Sequence, residues 1–219
     1  MSKELSWDQP GERLYETGVR KVVLYPKSGG TYPKGVAWNG VTSIEESPSG
    51  AEASPLYAND TKYLNLMSTE EYGASITAYT YPDEFAACDG SASLAAGVSI
   101  GQQKRTEFGL CYRTAIGNDE NGTEHGYKLH LVYGCLASPS SKSHTSINND
   151  PEATEMSWEL TTTPEKVTGH RPTATVEIDS TKVNKNKLAE LEAILYGGEA
   201  EARLPLPDEI ATLFADDGK

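Results

Sequence analysis

Basic residues are scarce: 19 lysines and arginines stand against 32 aspartates and glutamates, a formal charge of −13 at pH 7 in 219 residues. A nucleic-acid binder draws its affinity from cations that displace counterions, so that function class is disfavoured. Cysteine is rarer still. Cys88, Cys111 and Cys135 are odd in number and never fall at C-x-x-C spacing, which argues against a disulfide framework and a zinc ribbon. Reduced, partly buried thiols are expected. No apolar run approaches the roughly 18 residues of a membrane span, so no membrane partner is expected. The opening MSKELSWDQPGERLY has neither an apolar h-region nor a small-residue cleavage pattern, and the expectation is maturation in the cytoplasm.

Catalytic signatures are also missing. The chain holds no G-x-S-x-G, no GxxxxGK[ST] and no strand-coupled GxGxxG, so triad hydrolysis, P-loop chemistry and dinucleotide binding lack support. His125, His130, His144 and His170 show no paired metal-ligand spacing, and His130 falls in a Tyr/Leu/Val segment that reads as strand. Asp119 to Glu124 imitates a calcium loop, but its spacing fails. Glu45-Glu46 and Glu70-Glu71 are adjacent pairs, which a strand sends to opposite faces instead of across one substrate. No enzyme activity, metal or cofactor is expected.

What is present is a β vocabulary: 12 Tyr against 3 Phe and 3 Trp, with 20 Gly, a bias that suits half-exposed strands and contact surfaces. Residues 1–20 are polar, broken by Pro10-Gly11, and read as an N-terminal arm, with regular structure beginning at Val19. One domain, 21–219, follows. Val22 to Tyr25 is a short strand stopped by Pro26, and Tyr32 to Val41 would complete a hairpin with it. Ser43 to Asp60 carries Pro48, Gly50 and Pro55 and reads as a long, ordered, contact-making loop. Lys62 to Met67 and Gly73 to Tyr81 read as strands, Pro82 to Phe85 as a helical turn, and 89–97 as an irregular small-residue stretch. The clearest signal is a long hairpin: Phe108, Leu110, Tyr112, Thr114 and Ile116 alternate, then Tyr127, Leu129, Leu131 and Tyr133, with Asn121-Gly122 between them as a type I′ turn. A polar loop, 138–151, leads to strands at Met156–Leu160 and Arg171–Asp179.

Helical periodicity arrives last. Asn184 is a candidate N-cap for 185–196, whose Leu188, Leu191, Ile194 and Leu195 share one stripe before Gly197-Gly198 ends it. A second short helix, 207–215, opens on Pro207, Asp208 and Glu209. The fold class expected is mainly β, a mostly antiparallel sandwich or barrel, with a packed helix near the C-terminus.

Acidity is uneven: residues 37–101 hold nine acidic residues against one basic. The plain reading is a solubilising face; the sharper one is half of an electrostatic arrangement between identical subunits.

The segments YETGVRKVVLYP (15–26), 32–90 beginning YPKGVAWNGV, TEFGLCYRTAIGNDENGTEHGYKLHLVYGCLASPS (106–140), DSTKVNKNKLAELEAILYG (179–197) and EARLPLPDEI (201–210) together resemble the major tail (tail tube) proteins of long non-contractile-tailed bacteriophages. The resemblance runs along nearly the whole chain. It implies the tail tube fold, six copies closed into a ring through joined sheets, and rings stacked into a virion tail tube that conducts the genome. It also implies tape-measure, tail-tip initiator and terminator proteins as partners, with DNA crossing the lumen unbound. On that reading Glu45, Glu46, Glu52, Glu70 and Glu71 are lumen-facing candidates, where carboxylates would repel phosphate. Trp7 and Tyr15 on the arm, and Pro48, Leu56 and Tyr57 in the 43–60 loop, are interface candidates, because aromatic residues on polar segments make good anchors. The alternative from another class is a secreted carbohydrate-binding β-sandwich, which would also be Tyr-rich and acidic.

Overall fold

In the computed structural model the described residues are 4–140, 142–144, 146 and 153–215; most of the expected polar loop 138–151 lies outside them. Among these residues twelve strands occur: β1 (Tyr15–Pro26), β2 (Val36–Ala37), β3 (Val41–Glu46), β4 (Ala53–Ala58), β5 (Thr61–Met67), β6 (Gly73–Ala78), β7 (Ala92–Ala95), β8 (Val98–Ile100), β9 (Phe108–Asn118), β10 (Gly122–Ala137), β11 (Met156–Thr162) and β12 (Thr175–Asp179). Helices α1 (Lys185–Tyr196) and α2 (Pro207–Phe214) close the chain. The fold is mainly antiparallel β with two short helices. No helix among the described residues is long and apolar enough to cross a membrane.

One antiparallel sheet organises the molecule, in the order β2-β1-β9-β10-β11-β6-β3, with β12 also paired to β10. Its ends meet, since β1 also touches β3. The curled sheet therefore has an inside and an outside, and hydrophobic side chains cover both. Val22 and Leu24 of β1, Phe108, Leu110 and Tyr112 of β9, Val132 of β10 and Trp158 of β11 fill the inside. Val23 and Tyr25, Cys111, and Leu129, Leu131 and Tyr133 point outward, beneath Leu188, Leu191 and Leu195 of α1 and Ile210 of α2. Alternation in a strand separates neighbours onto opposite faces, so the run Val22–Tyr25 is apolar throughout because each face has its own core. Cys111 and Cys135 fall on opposite faces, which keeps them apart although their strands pair.

The inner core is aromatic. Phe85 packs against Trp38, Tyr81, Phe108 and Trp158 at centroid distances of 4.5 to 5.8 Å, the edge-to-face range that favours such rings. Both indoles keep a polar partner: Trp38 Nε1 donates to the Thr80 carbonyl (2.8 Å) and Trp158 Nε1 to Asp89 Oδ1 (3.0 Å).

Strand β10 serves two neighbours. Residues 128–132 pair with β12 and 135–137 with β11, and the changeover is a bulge at Gly134, whose φ is +58°. Its amide donates to Tyr32 Oη at 2.9 Å and its carbonyl accepts from Thr163 N at 2.9 Å. The extra residue reverses the alternation, so Cys135 and Ala137 join Val132 inside.

Helix α1 has the expected bounds: the Asn184 side chain caps the Asn186 amide and Gly197 follows at φ +84°. Several other expectations are corrected. β1 begins at Tyr15, inside the expected arm, because Tyr15, Glu16 and Thr17 pair with Gly117, Ile116 and Ala115 of β9. The partner of β1 in 32–41 is only the two-residue β2, and Val41 opens β3. The turn after β9 has one positive φ, at Gly122; Asn118 Oδ1 shapes it, accepting from the amides of Glu120 and Asn121. β6 ends at Ala78 and β12 begins at Thr175. The 89–97 stretch contains β7, and the expected 43–60 loop is largely strand, as follows.

Candidate assembly surfaces

Strands β3 to β6 form one two-stranded ribbon. Ser43↔Thr77, Glu46↔Ala74, Ser49↔Glu71, Ala53↔Met67 and Leu56↔Leu64 all keep the same register, which slips by one residue at the base, Val41↔Ala78, and near the tip, Tyr57↔Lys62. The base, β3–β6, belongs to the main sheet. Beyond the Ser49↔Glu71 bridge the ribbon leaves it, and the hydrogen bonds of residues 50–70 stay within the ribbon. Ten residues from Ser49 to Asn59 at about 3.3 Å each give a projection of about 30 Å.

An isolated hairpin is at best marginally stable in water, and this one buries none of its residues. Tyr57 is 70% and Tyr63 73% exposed, with Leu56, Leu64, Leu66 and Met67 also in solvent. Leu56 and Leu64 are directly opposed, and Leu66 shares their side by the period of two. Exposed apolar clusters of this kind mark interaction surfaces. Leu94, Val98 and Ile100 on the smaller β7–β8 hairpin are exposed as well.

The N-terminal segment is tied to the turn after β9. Asn118 Nδ2 donates to the Gly11 carbonyl and Gly11 N to Asp119 Oδ1, each at 3.0 Å. Leu5, Trp7 and Leu14 remain exposed, Trp7 at 71%. Tyr15 lies in β1 with its ring over Gly117, where any Cβ would collide with it.

Of the five residues expected at interfaces, Pro48, Leu56 and Tyr57 thus sit on the ribbon, Trp7 on the arm, and Tyr15 at the start of β1; all are exposed. The five carboxylates gather at the ribbon's root: Glu45 and Glu46 end β3, and Glu52, Glu70 and Glu71 flank the neck. All five are exposed. Glu46 turns toward the sheet and accepts from Tyr112 Oη at 2.5 Å. What sequence reading missed is Tyr63, Leu64, Leu66 and Met67, the apolar half of the ribbon; the signal was the alternation in TKYLNLM, read only as an ordinary strand.

The three thiols are buried and free, and burial pushes those of Cys88 and Cys111 up to about 12, away from the thiolate that nucleophilic work requires. No group of three or more metal-binding side chains is placed to hold an ion among the described residues.

No protein-family model matches the chain, and no curated protein does. Among solved structures it is similar to a chain of the sheath-tube complex of an extracellular contractile injection system (PVC, extended state). The identity is 12% and the TM-score 0.33, over 80% of this chain and 94% of that one.

Proposed function

We propose that the protein is a structural subunit that assembles with copies of itself into rings stacked as a tube. The resemblance noted in the sequence makes the ring a hexamer and the tube the tail of a long-tailed bacteriophage, a conduit for the genome. In that setting its partners are the tape-measure, tail-tip and terminator proteins, its place is the virion tail after assembly in the host cytoplasm, and it carries no enzymatic activity.

The observation that supports this reading best is the β3–β6 ribbon, which projects apolar side chains into solvent with nothing among the described residues to cover them. Such a projection is a liability in a solitary protein and an asset in one that docks onto a second copy. Electron microscopy of the purified chain at rising concentration, with light scattering for mass, tests it. Rings or hollow tubes are expected from the native chain. A variant with 51–69 replaced by a short Gly-Ser turn should keep its β-sheet circular dichroism and stay dispersed; normal tubes from that variant would refute the role of the ribbon.

A further inference from the structure

The open end of the curled sheet is closed by charge. His130 of β10 projects there with its side chain only 12% exposed, its ring flat on that of Tyr112 of β9, with centroids 4.6 Å apart and planes 3° apart. Glu16 of β1, Glu46 of β3 and Glu177 of β12 surround it, with Thr114 of β9 and Lys128 of β10 beside them. Tyr72, leading into β6, lines the same small cavity. Lys128 Nζ bridges Glu16 Oε2 (2.9 Å) and Glu177 Oε1 (3.0 Å).

Each edge of the imidazole faces acceptors. Nε2 lies 3.0 Å from Thr114 Oγ1 and 3.2 Å from Glu16 Oε1. The Thr114 hydroxyl already donates to that same Glu16 oxygen at 2.5 Å, so Thr114 can offer Nε2 only a lone pair. Nδ1 lies 3.7 Å from Glu46 Oε1 and 3.8 Å from Glu177 Oε2. A neutral imidazole has one N–H and one lone pair. Whichever tautomer forms, a lone pair is left pointing at carboxylate oxygen. Only the doubly protonated ring presents an N–H to the anions on both edges. With the ring neutral, three carboxylates face one lysine; with the ring charged, the imbalance is halved.

The element held is the beginning of β1. Two bulges, marked by positive φ at Gly18 (+73°) and Lys21 (+51°), separate Tyr15–Thr17 from the buried part of the strand. That segment is exposed, and Glu16 fastens it through Thr114, Lys128 and His130. We propose that His130 is a proton-gated clasp: charged, it fastens the start of β1 to β9, β3 and β12; neutral, it lets that segment part from the sheet. The inference stands on the single chain and does not depend on the assembly reading.

Amide hydrogen exchange on the full chain tests it, compared at pH 5.5 and pH 8.0 after correction for intrinsic rates. Imidazoles change charge between about pH 5 and 8, so protection of the amides at 15–17 should fall by about tenfold across that range, while the β9–β10 pairs around Leu110 stay protected. His130→Gln should make protection at 15–17 independent of pH. Unchanged protection in the native chain, or the same pH dependence in the variant, would overturn the proposal. Should His130→Gln fail to fold, nitrogen NMR of the native ring decides: protons on both ring nitrogens at pH 5.5 support the clasp, and a neutral ring there refutes it.

Discussion

Gly50 sits against the carbonyl of Thr69 at the neck of the ribbon, with φ at +83°, and a Cβ added there would overlap that oxygen. Backbone on one side and backbone on the other leave nothing flexible to yield, and the positive φ disfavours any L side chain besides. Gly50→Ala should therefore distort the neck without touching either core. The expected result is a melting temperature within a few degrees of the native value, faster proteolysis confined to 47–71, and weakened assembly.

A charge introduced on the ribbon's upper half separates contact from folding. Leu64→Lys places a cation opposite Leu56 on an already exposed strand, where a surface change costs within about 0.5 kcal/mol. Urea titration should find stability nearly unchanged, and light scattering should find the species dispersed.

Replacing carboxylates at the ribbon's root tests their proposed role in the lumen. Glu45, Glu52, Glu70 and Glu71 make no ion pair among the described residues, so changing them to lysine breaks no ion pair there. Tubes carrying several such changes should form but deliver DNA poorly. Unchanged ejection would show that these residues do not line the path.

In the inner core, Trp158→Ala should destabilise by about 3–5 kcal/mol, the range for deleting a buried large aromatic. It removes four aromatic and cation contacts and takes a hydrogen-bond donor from Asp89, which retains Arg105 and Lys142 nearby. Thermal unfolding measures it, and the fall in melting temperature should exceed that of any ribbon variant.

Acid should unfold the protein for identifiable reasons. Arg203 hydrogen-bonds Glu209 and holds its carboxyl below the usual range. Burial would raise Glu16, but hydrogen bonds from Thr114 and Lys128 outweigh it and leave it lowered; Asp179 follows the same pattern through Thr181 and Lys182. Groups with depressed native pKa values contribute stability above their unfolded values, near pH 4, and lose it as pH falls further. Stability from urea titration should thus decline progressively below about pH 5, with a shallower decline in Glu209→Gln.

The sheet's centre was legible because Phe108 to Ile116 and Tyr127 to Tyr133 alternate without interruption, and α1 because Asn184 and Gly197 mark its ends. That the two alternating sets belong to opposite faces of one sheet could not be read, since it depends on the pairing of strands far apart in the chain. The ribbon was missed for a local reason. Pro48 and Gly50 do break the strand, but only at the neck; Pro55 lies inside β4, where a two-stranded ribbon leaves outward-facing positions that need no donor. The contact residues Leu64 and Leu66 carried no separate signal, because an exposed leucine and a buried one are written alike.

A sheet packed on both faces has a mechanical consequence. β1, β9 and β10 are gripped from inside by aromatic rings and from outside by α1, so the body has little room to deform. Slack is confined to what leaves the body: the ribbon, the small hairpin and the N-terminal segment. In any assembly of such copies, bending would be absorbed at the joints between subunits, and the stiffness of the whole would be set by the length and grip of its projections.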